Sequence, residues 1–177
     1  MTLFRVFRQA PNRTAAAGQC VPTLYAGKSF EGAIFESILR DMPPLPRTRR
    51  VFERDFQDAA LAELTLLRSL RVARLFNQEL ATLGLSRKAL IESHGVDAYL
   101  WTVAWAAALH RDNPQLDGLA WHSRQQDSEL VYVFFGGRAE AGDFRQGVPL
   151  PLGWGPGRTR LDAMVATYQV DVVPMPP

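Results

Sequence analysis

The sequence is poor in the residues that form disulfides and metal centres. It contains one cysteine, Cys20, and three histidines, His94, His110 and His122, among its 177 residues. A single cysteine cannot form an internal disulfide, and the spacing of these residues does not fit a zinc site. We therefore expect no metal and no disulfide. A chain of this length can bury enough apolar surface to fold without them, as one domain over residues 1–177.

Long apolar runs and concentrated charge are also missing. No run reaches the roughly 18 apolar residues of a membrane-spanning helix, and the segment MTLFRVFRQAPNR lacks the apolar core and cleavage site of a signal peptide. The formal net charge is only +2, and RTRR at 47–50 is the sole basic cluster. These absences predict a cytoplasmic protein that binds neither a membrane nor, directly, a nucleic acid.

The common signatures of phosphate-binding loops and serine hydrolases are absent as well. The stretches FGGR and GWGPGR match neither the P-loop nor the dinucleotide fingerprint, and no G-x-S-x-G elbow occurs. His122 directly precedes Ser123, and neighbours on an extended strand point to opposite faces, so His122 is not placed to activate that hydroxyl. A P-loop, a Rossmann site and a Ser/His hydrolase are therefore disfavoured.

What is present is a pattern of segregated strands and helices, which favours an α+β fold over regular βαβ alternation. Alternating and β-rich stretches predict strands over 3–7, 21–27, 49–53, 61–67, 71–75, 117–121 and 129–137. A helix over 57–70 is the alternative in the middle of this series. Residues 81–95 are predicted to form a loop with one helical turn.

Three helices are predicted. Ser29 can cap a helix over 30–41, and the tail contains another over 157–170. The stretch DAYLWTVAWAAALHRD at 97–112, which Asp97 can cap, is apolar on nearly every side and is therefore expected to be buried.

Glu36 is the strongest candidate for chemistry. On the predicted helix, the positions three and four residues before it are Ala33 and Gly32, so the carboxylate would lie above a shallow floor with room for a ligand. The alternative is a solvated ion pair between Glu36 and Arg40, four positions further on.

Three further side chains can serve a binding site. Arg5, inside LFRVF, can offer a guanidinium to a phosphate or carboxylate, or can face water at a sheet edge. Tyr25, at a predicted strand end, can stack or hydrogen-bond, or can be a half-buried structural residue. Ser123 lies in the insert HSRQQD, most of which lacks turn residues, so reversal of the chain does not account for it.

In this order, the segments resemble the RES domain, a family named for its Arg, Glu and Ser. LFRVFR, PTLYAGKSFEGAIFESILRD, and DGLAWHSRQQ followed by VYVFFGGR carry an arginine, a tyrosine eleven positions before a glutamate, and a late Ser-Arg before an apolar strand. The resemblance spans residues 3–138. One departure is that many members carry a Gly-Arg-Trp/Phe-Asn segment where this chain has APNRTAAAGQCVP, in which Arg13 is a candidate substitute.

The resemblance implies an ADP-ribosyltransferase-like mixed sheet with flanking helices. It implies an enzyme that takes NAD as substrate, without a metal, and breaks the nicotinamide–ribose bond by hydrolysis or phosphorolysis. It also implies the toxin of a bacterial type II toxin–antitoxin pair whose partner is an Xre-type antitoxin. Two alternatives stay open: ADP-ribosyl transfer to a protein, and a degenerate domain that only binds a nucleotide or a partner. An oligomer joined through VVPMPP at 172–177 is a further expectation.

The resemblance also implies roles for single residues. Arg5 would hold the pyrophosphate of NAD, and Tyr25 would stack on or orient the nicotinamide or its ribose. Glu36 would stabilise the oxocarbenium-like ribose. Ser123 would bond a ribose or amide group, and Arg124 extends the match as a further NAD-binding residue.

Overall fold

The computed structural model describes residues 1–8, 21–43, 48–91 and 96–174, without the side chains of Arg8 and of residues 96–99. The strands are β1 (Thr2–Arg8), β2 (Thr23–Gly27), β3 (Arg49–Phe52), β4 (Ala59–Leu66), β5 (Val72–Arg74), β6 (Gly118–His122), β7 (Leu130–Phe135), β8 (Phe144–Gln146), β9 (Leu150–Pro151) and β10 (Val170–Val173). The helices are α1 (Phe30–Phe35), α2 (Asn77–Thr82), α3 (Arg87–Leu90), α4 (Val96–Asp112) and α5 (Gly155–Thr167), with 3₁₀ turns at Glu53–Asp55 and Ala141–Asp143.

Eight strands form one mixed sheet. Its order is β5-β6-β7-β2-β1-β4-β8, and β9 also pairs with β4. The neighbours are antiparallel except for β5 and β6, which are parallel. Strands β10 and β3 form a separate parallel pair. A mixed sheet with segregated helices confirms the predicted α+β class.

The register of the central strands decides which side chains share the face that carries the helices. Phe4 of β1 is opposite Gly27 of β2, and Tyr25 is opposite Val133 of β7. Side chains alternate along a strand, so Phe4, Tyr25 and Val133 point to one face. Phe4 packs there against a core that includes α1, and Val133 packs in a core with α4. Both helices therefore lie on the same side of the sheet as Tyr25.

The opposite face has its own apolar core. Leu3, Leu64 and Phe134 are buried in it, and the partly buried Leu70 and Phe144 pack against it. Within the described part of the chain, no helix contributes to this core. Helices thus contribute to the cores on one face of the sheet but not, within the described residues, to the core on the other face.

Gly27 allows α1 to lie close to β2. A Cβ atom at this position would lie 2.3 Å from the backbone nitrogen of Ala33 and 2.7 Å from the carbonyl carbon of Gly32. Both distances are too short for real contacts, so any larger residue would push the helix away from the sheet. The end of α1 is thereby held close to the face that carries Tyr25.

The strand predictions are confirmed. The stretches 3–7, 21–27, 49–53, 61–67, 71–75, 117–121 and 129–137 correspond to β1, β2, β3, β4, β5, β6 and β7. The alternative helix over 57–70 is wrong. Strand β4 occupies most of that range, and it is buried from Ala59 to Ala62 because it pairs with β1 on one side and with β8 and β9 on the other.

Helix α1 is shorter than the helix predicted over 30–41. Ser29 caps it as predicted, accepting a 2.9 Å hydrogen bond from the backbone of the first turn, but the helix ends at Phe35. The hydroxyl of Ser37 donates to the carbonyl oxygen of Ala33 at 2.6 Å. A serine side chain that bonds to the backbone in this way competes with the helical pattern.

Helix α4 confirms the helix predicted at 97–112, but the expectation that it is buried is wrong. Its exposed large apolar side chains are Leu100 (58 % exposed), Trp101 (49 %) and Val103 (45 %). Only one side of the helix, with Trp105 and Leu109, packs in the core that it shares with β6 and β7. The predicted cap, Asp97, lies outside the described side chains.

Short elements account for the remaining differences. Helix α2 and strands β8, β9 and β10 were not predicted, and the three strands have 3, 2 and 4 residues, too few for a periodic pattern. Helix α5 confirms the helix predicted over 157–170. Val172, part of the expected interface at 172–177, packs against the core that contains α1 and α5, and residues 175–177 lie outside the described range.

Candidate functional site

Glu36 lies at the C-terminal end of α1, where its backbone N–H donates to the carbonyl oxygen of Gly32 at 3.1 Å. Its side chain is partly buried, and the nearby hydroxyl of Ser123 favours the charged form of the carboxylate. The alternative of a solvated ion pair with Arg40 does not describe this arrangement. Because α1 ends before Glu36, the carboxylate faces the loop after β6 rather than a solvated helix surface.

The environment of Glu36 pulls its pKa in two directions. Burial has the largest effect and raises the pKa of Glu36 above its ordinary value. The Ser123 hydrogen bond, the charges of Arg40 and Arg124, and a hydrogen bond from the backbone of Arg124 all favour the charged form and lower the pKa. The outcome is a carboxylate in a partly dry site whose charged form has several dedicated partners. Such a group can stabilise a positive charge that develops beside it.

Ser123 is fully buried at the end of β6. Its backbone N–H donates to the carbonyl oxygen of Glu129 at 2.8 Å, and its Oγ accepts a hydrogen bond from the backbone N–H of Gln125 at 3.2 Å. A hydroxyl has only one proton. The bond from Gln125 uses an acceptor position of Ser123, so the hydroxyl proton stays available to donate to a neighbour such as Glu36.

His122 and Ser123 have different surroundings, as strand alternation predicts. The His122 ring packs against Phe76, with the ring centroids 4.7 Å apart. Among the described residues, the buried Nδ1 of His122 has no hydrogen-bond partner, so it does not bond to Ser123. The structure therefore agrees with the exclusion of a Ser/His nucleophile.

Two arginines accompany Glu36. The Arg124 guanidinium donates to the backbone carbonyl of Arg40 and lies 3.5 Å from a carboxylate oxygen of Asp41. The Cζ atom of Arg40 lies 6.0 Å from the centroid of the Tyr25 ring. The sequence indicated Arg124, whereas Arg40 was considered only as a helix-surface partner of Glu36. The early end of α1 instead puts Arg40 on a loop beside the site.

Tyr25 presents a partly open ring. Its side chain is 43 % exposed, and its ring meets the ring of Trp121 edge-on at a centroid distance of 6.4 Å. Trp121 precedes Ser123 by two positions on the chain. It was not predicted as a site residue, although its alternation with Ser123 and its apolar ring are visible in the sequence.

Several of these side chains surround one end of a cavity of about 240 Å³, whereas the fully buried Ser123 is not among its lining residues. The polar and aromatic end is formed by Tyr25, Glu36, Arg40, Asp41, Trp121 and Arg124. The apolar part is formed mainly by Leu75, Leu90, Trp105, Leu109, Leu119 and Val133. An apolar cavity with a few convergent charged groups at one end is typical of a site for a small ligand.

Arg5 does not join this group. It is opposite Ala62 in the pairing of β1 with β4, and it alternates with Phe4 and Val6, which pack in the core beside α1. Arg5 therefore shares the opposite face of the sheet with Leu3. Burial lowers the pKa of Arg5, with no other cause contributing.

The pyrophosphate-binding role of Arg5 stays a prediction, and its position argues against direct contact with a ligand in this cavity. Strand register decides whether Arg5 can reach the cavity, and the sequence of a single strand does not show which of its faces will meet the site. Arg13, the candidate substitute for the missing segment, lies outside the described residues.

The described residues contain no group of three or more His, Cys, Asp or Glu side chains placed to hold a metal ion. They also contain no helix with the length and apolar character needed to cross a bilayer.

Comparisons with known proteins place the chain in a family. The sequence model described as "RES domain" matches residues 4–155. Among solved structures, a chain of the crystal structure of the M. tuberculosis MbcT-MbcA toxin-antitoxin complex has a TM-score of 0.52 and 16 % identity, covering 84 % of this chain and 82 % of that chain. At this identity the likeness shows the fold alone. A comparison with curated proteins gave no match. Because the family match covers far more than half of the sequence and includes all five predicted site residues, this chain belongs to the RES-domain family.

Proposed function

We propose that this protein consumes NAD by breaking the bond between nicotinamide and ribose, and that it acts as the toxin of a toxin–antitoxin pair. One observation carries the proposal. The Glu36 carboxylate is partly buried, is favoured in its charged form by Ser123 and lies beside two arginines at the polar end of a cavity. This is the arrangement expected for a site that stabilises positive charge on a sugar next to an anionic group.

The proposed reaction begins with loss of nicotinamide. The C1′–N1 bond breaks, its electron pair goes to the pyridinium nitrogen, and positive charge develops on the ribose. The carboxylate of Glu36 stabilises that charge, and Ser123 holds the carboxylate in place. Water or inorganic phosphate then adds to C1′ and loses a proton, which gives ADP-ribose or its 1-phosphate ester.

Binding of the rest of NAD is assigned to the side chains around Glu36. Arg40 and Arg124 are the cations of the cavity wall, so we assign them the pyrophosphate. Tyr25, with an exposed ring supported edge-on by Trp121, is assigned to stacking on nicotinamide or its ribose.

The toxin role rests on the family and on the fold. The chain belongs to the RES-domain family, and a solved structure with a similar fold is that of a toxin–antitoxin complex. We propose that this chain likewise has an antitoxin partner, of the Xre type, which limits NAD loss in the cell. The site is proposed to work in the cytoplasm, where NAD is present.

The enzymatic proposal is tested by incubating the purified protein with NAD, with and without inorganic phosphate, and following NAD and its products. We expect NAD loss with release of nicotinamide, and the requirement for phosphate tells hydrolysis from phosphorolysis. Glu36→Gln should slow the loss by about 100- to 1000-fold, the cost typical of removing one charge-stabilising group. Intact NAD under both conditions, with a folded wild-type protein by circular dichroism, would show that the proposal is wrong.

The toxin proposal is tested in growing bacteria. Induction of the wild-type protein should stop growth and lower the cellular NAD concentration, whereas Glu36→Gln should do neither at equal protein level. Co-expression of the product of a neighbouring helix-turn-helix gene should restore both. Growth arrest that persists with Glu36→Gln would separate the toxicity from this site.

A further inference from the structure

The side chain of Gln125 connects the loop after α1 with a buried arginine. Its Nε2 donates to the carbonyl oxygens of Arg40 and Met42, both at 3.0 Å. Its Oε1 accepts a hydrogen bond from Nη2 of Arg49 at 3.3 Å. Glu36 begins the loop that Gln125 contacts. The side-chain amide of Gln125 therefore holds this loop at Arg40 and Met42, up to six residues after Glu36.

The chemistry of the three partners fixes the orientation of the amide. Backbone carbonyls only accept hydrogen bonds and a guanidinium only donates them. The amide of Gln125 therefore satisfies Arg40, Met42 and Arg49 in one orientation alone, with its oxygen towards the guanidinium. A flipped amide would lose all three hydrogen bonds.

Arg49 is costly to bury in this way. Arg49 is only 7 % exposed. Its guanidinium donates to Oε1 of Gln125 and to the carbonyl oxygen of Tyr168, both at 3.3 Å. Within the described ranges no carboxylate forms an ion pair with it, and its Nε lacks a hydrogen-bond partner. Burial of a cation without a counter-ion is unfavourable, so a contribution to stability does not by itself explain Arg49.

The backbone of Gln125 contacts the other partner of Glu36. Its N–H donates to Oγ of Ser123 at 3.2 Å, which leaves the hydroxyl proton for the carboxylate. One residue thus contacts the Ser123 hydroxyl through its backbone and holds the loop that follows Glu36 through its side chain.

We propose that Gln125 is a positioning residue, whose side chain, held by Arg49, sets the place of the Glu36 loop relative to Ser123 and to a bound ligand. This inference rests on the function proposed above. A displacement of about 1 Å at a reacting group can reduce a rate by about 100-fold. Loss of the Gln125 amide should therefore act on turnover more than on substrate binding.

The test compares two substitutions at this position with one at its neighbour. Gln125→Met keeps the length of the side chain and removes every polar contact. Gln125→Glu keeps an acceptor for Arg49 but places a carboxylate oxygen against the carbonyls of Arg40 and Met42. Gln126→Met is the control, since among the described residues the side-chain amide of Gln126 bonds only to the hydroxyl of Ser128, at 3.2 Å.

Three measurements are made on each purified protein: kcat and KM for NAD, thermal stability, and amide hydrogen exchange over residues 37–42. The amides of Ile38 and Leu39 donate to the carbonyl oxygen of Ile34 in α1, and that of Met42 donates to the carbonyl oxygen of Leu39, so their exchange reports the opening of this loop. We expect both Gln125 variants to lose about 10- to 100-fold in kcat, with KM within about threefold, and to exchange faster at these amides. Gln126→Met should match the wild type in all three.

Gln125→Glu distinguishes a role in positioning the loop over residues 37–42 from a role in hydrogen bonding to Arg49 alone. If Gln125→Glu keeps the wild-type kcat and slow exchange, Gln125 serves only as a hydrogen-bond acceptor for Arg49 and the inference is wrong. Equal losses in Gln126→Met would also overturn it. A wild type without NAD turnover would refute the proposed function, and the exchange of residues 37–42 in the Gln125 variants would still show whether the amide holds the loop.

Discussion

At the scale of single residues, the site is defined by a carboxylate whose charged form is favoured by partners and disfavoured by burial. Ser123, Arg40 and Arg124 all stabilise charged Glu36, yet burial raises its pKa above the ordinary value. A carboxylic acid with a raised pKa in the folded state binds its proton more tightly there than in the unfolded chain. Charged Glu36 therefore lowers the stability of the fold at neutral pH, although the proposed reaction needs it.

Replacement of Glu36 by Gln should separate activity from stability. The contribution of Glu36 to the free energy of unfolding falls as pH rises through the window between its ordinary and its raised pKa. Glutamine cannot ionise, so the variant should be more stable than the wild type above this window and similar to it below, while its NAD turnover falls. Urea melts at several pH values measure the difference. A variant less stable than the wild type at neutral pH would show that charged Glu36 is a net stabilising group.

Ser123→Ala and His122→Ala should differ sharply. Ser123 donates to Glu36, and a hydrogen bond to a charged group contributes about 1.5–3 kcal/mol, so we expect NAD turnover to fall about 10- to 100-fold. The acid limb of the rate profile should move to higher pH, because loss of this hydrogen bond raises the pKa of Glu36 further. His122→Ala should change turnover by less than about threefold. Steady-state kinetics from pH 5 upwards provide the measurement, and a pH profile that does not move would argue against this role of Ser123.

Arg5 and Arg40 provide a test of which arginine meets the phosphates of NAD. Arg40 lines the cavity, whereas Arg5 lies on the opposite face of the sheet. Loss of a charge-assisted hydrogen bond costs about 1.5–3 kcal/mol, so Arg40→Ala should raise KM for NAD at least about tenfold. Arg5→Ala should leave KM within about threefold. The opposite pattern would restore the role that the family resemblance gives to Arg5.

At the scale of elements, α4 combines a wall of the cavity with an exposed apolar surface. Trp105 packs in the core shared with β6 and β7 and lines the cavity, while Trp101, one turn earlier, is 49 % exposed. The two rings touch edge-on, with centroids 6.1 Å apart. The same residue type on the same helix therefore has two different environments.

Substitution of the two tryptophans by alanine should show that difference. Trp105→Ala removes a ring from a core and should lower the free energy of unfolding by about 2–4 kcal/mol, with weaker NAD binding as well. Trp101→Ala should cost less than about 1 kcal/mol, because its ring is half exposed and alanine favours the helix. Urea melts and NAD titrations are the measurements. Equal losses would mean that Trp101 is as important for packing as Trp105.

Elements with strong local patterns could be predicted from the sequence, and those decided by tertiary contacts could not. The alternation in LFRVF and the β-branched and aromatic residues of VYVFF identified two central strands, and Ser29 identified the start of α1. The end of α1 depends on the hydroxyl of Ser37 and on contacts of the following loop, which no period reveals. Glu36, Tyr25 and Ser123 were predicted as one site through the family resemblance, whereas Arg40 and Gln125 were found only when the loop was seen to fold back beside the site.

At the scale of the whole molecule, Arg68 links segments that are far apart in the chain. Its guanidinium bonds to Asp143 through Nε at 2.7 Å and through Nη2 at 3.0 Å, and to Asp117 at 3.1 Å. The Nη2 group also donates to the carbonyl oxygen of Arg138 at 2.6 Å. Asp117 precedes β6, Arg138 follows β7 and Asp143 precedes β8, so this exposed group joins both ends of the sheet. A network of this kind can contribute where a single exposed ion pair does not.

The pH dependence of this network should have the opposite sign to that of Glu36. The Arg68 hydrogen bond, with a second one from the backbone of Glu140, lowers the pKa of Asp143 below its ordinary value. A carboxylate with a lowered pKa adds stability above its ordinary pKa and loses that contribution as pH falls through the lowered value. Asp143→Asn should therefore be less stable than the wild type at neutral pH, and the difference should shrink on acidification and in high salt.

A double variant allows the effects of Glu36→Gln and Asp143→Asn on stability to be compared within one protein. Asp143 and Glu36 lie in different parts of the fold, so their effects on the free energy of unfolding should add. Glu36→Gln should raise the stability at neutral pH and Asp143→Asn should lower it, and both differences should vanish at acid pH, where both carboxyls are protonated in the folded and unfolded states. The four proteins are compared by urea melts across the pH range. If Asp143→Asn stays less stable by the same amount at every pH, the network acts through packing, and its charge is not what holds the two ends of the sheet together.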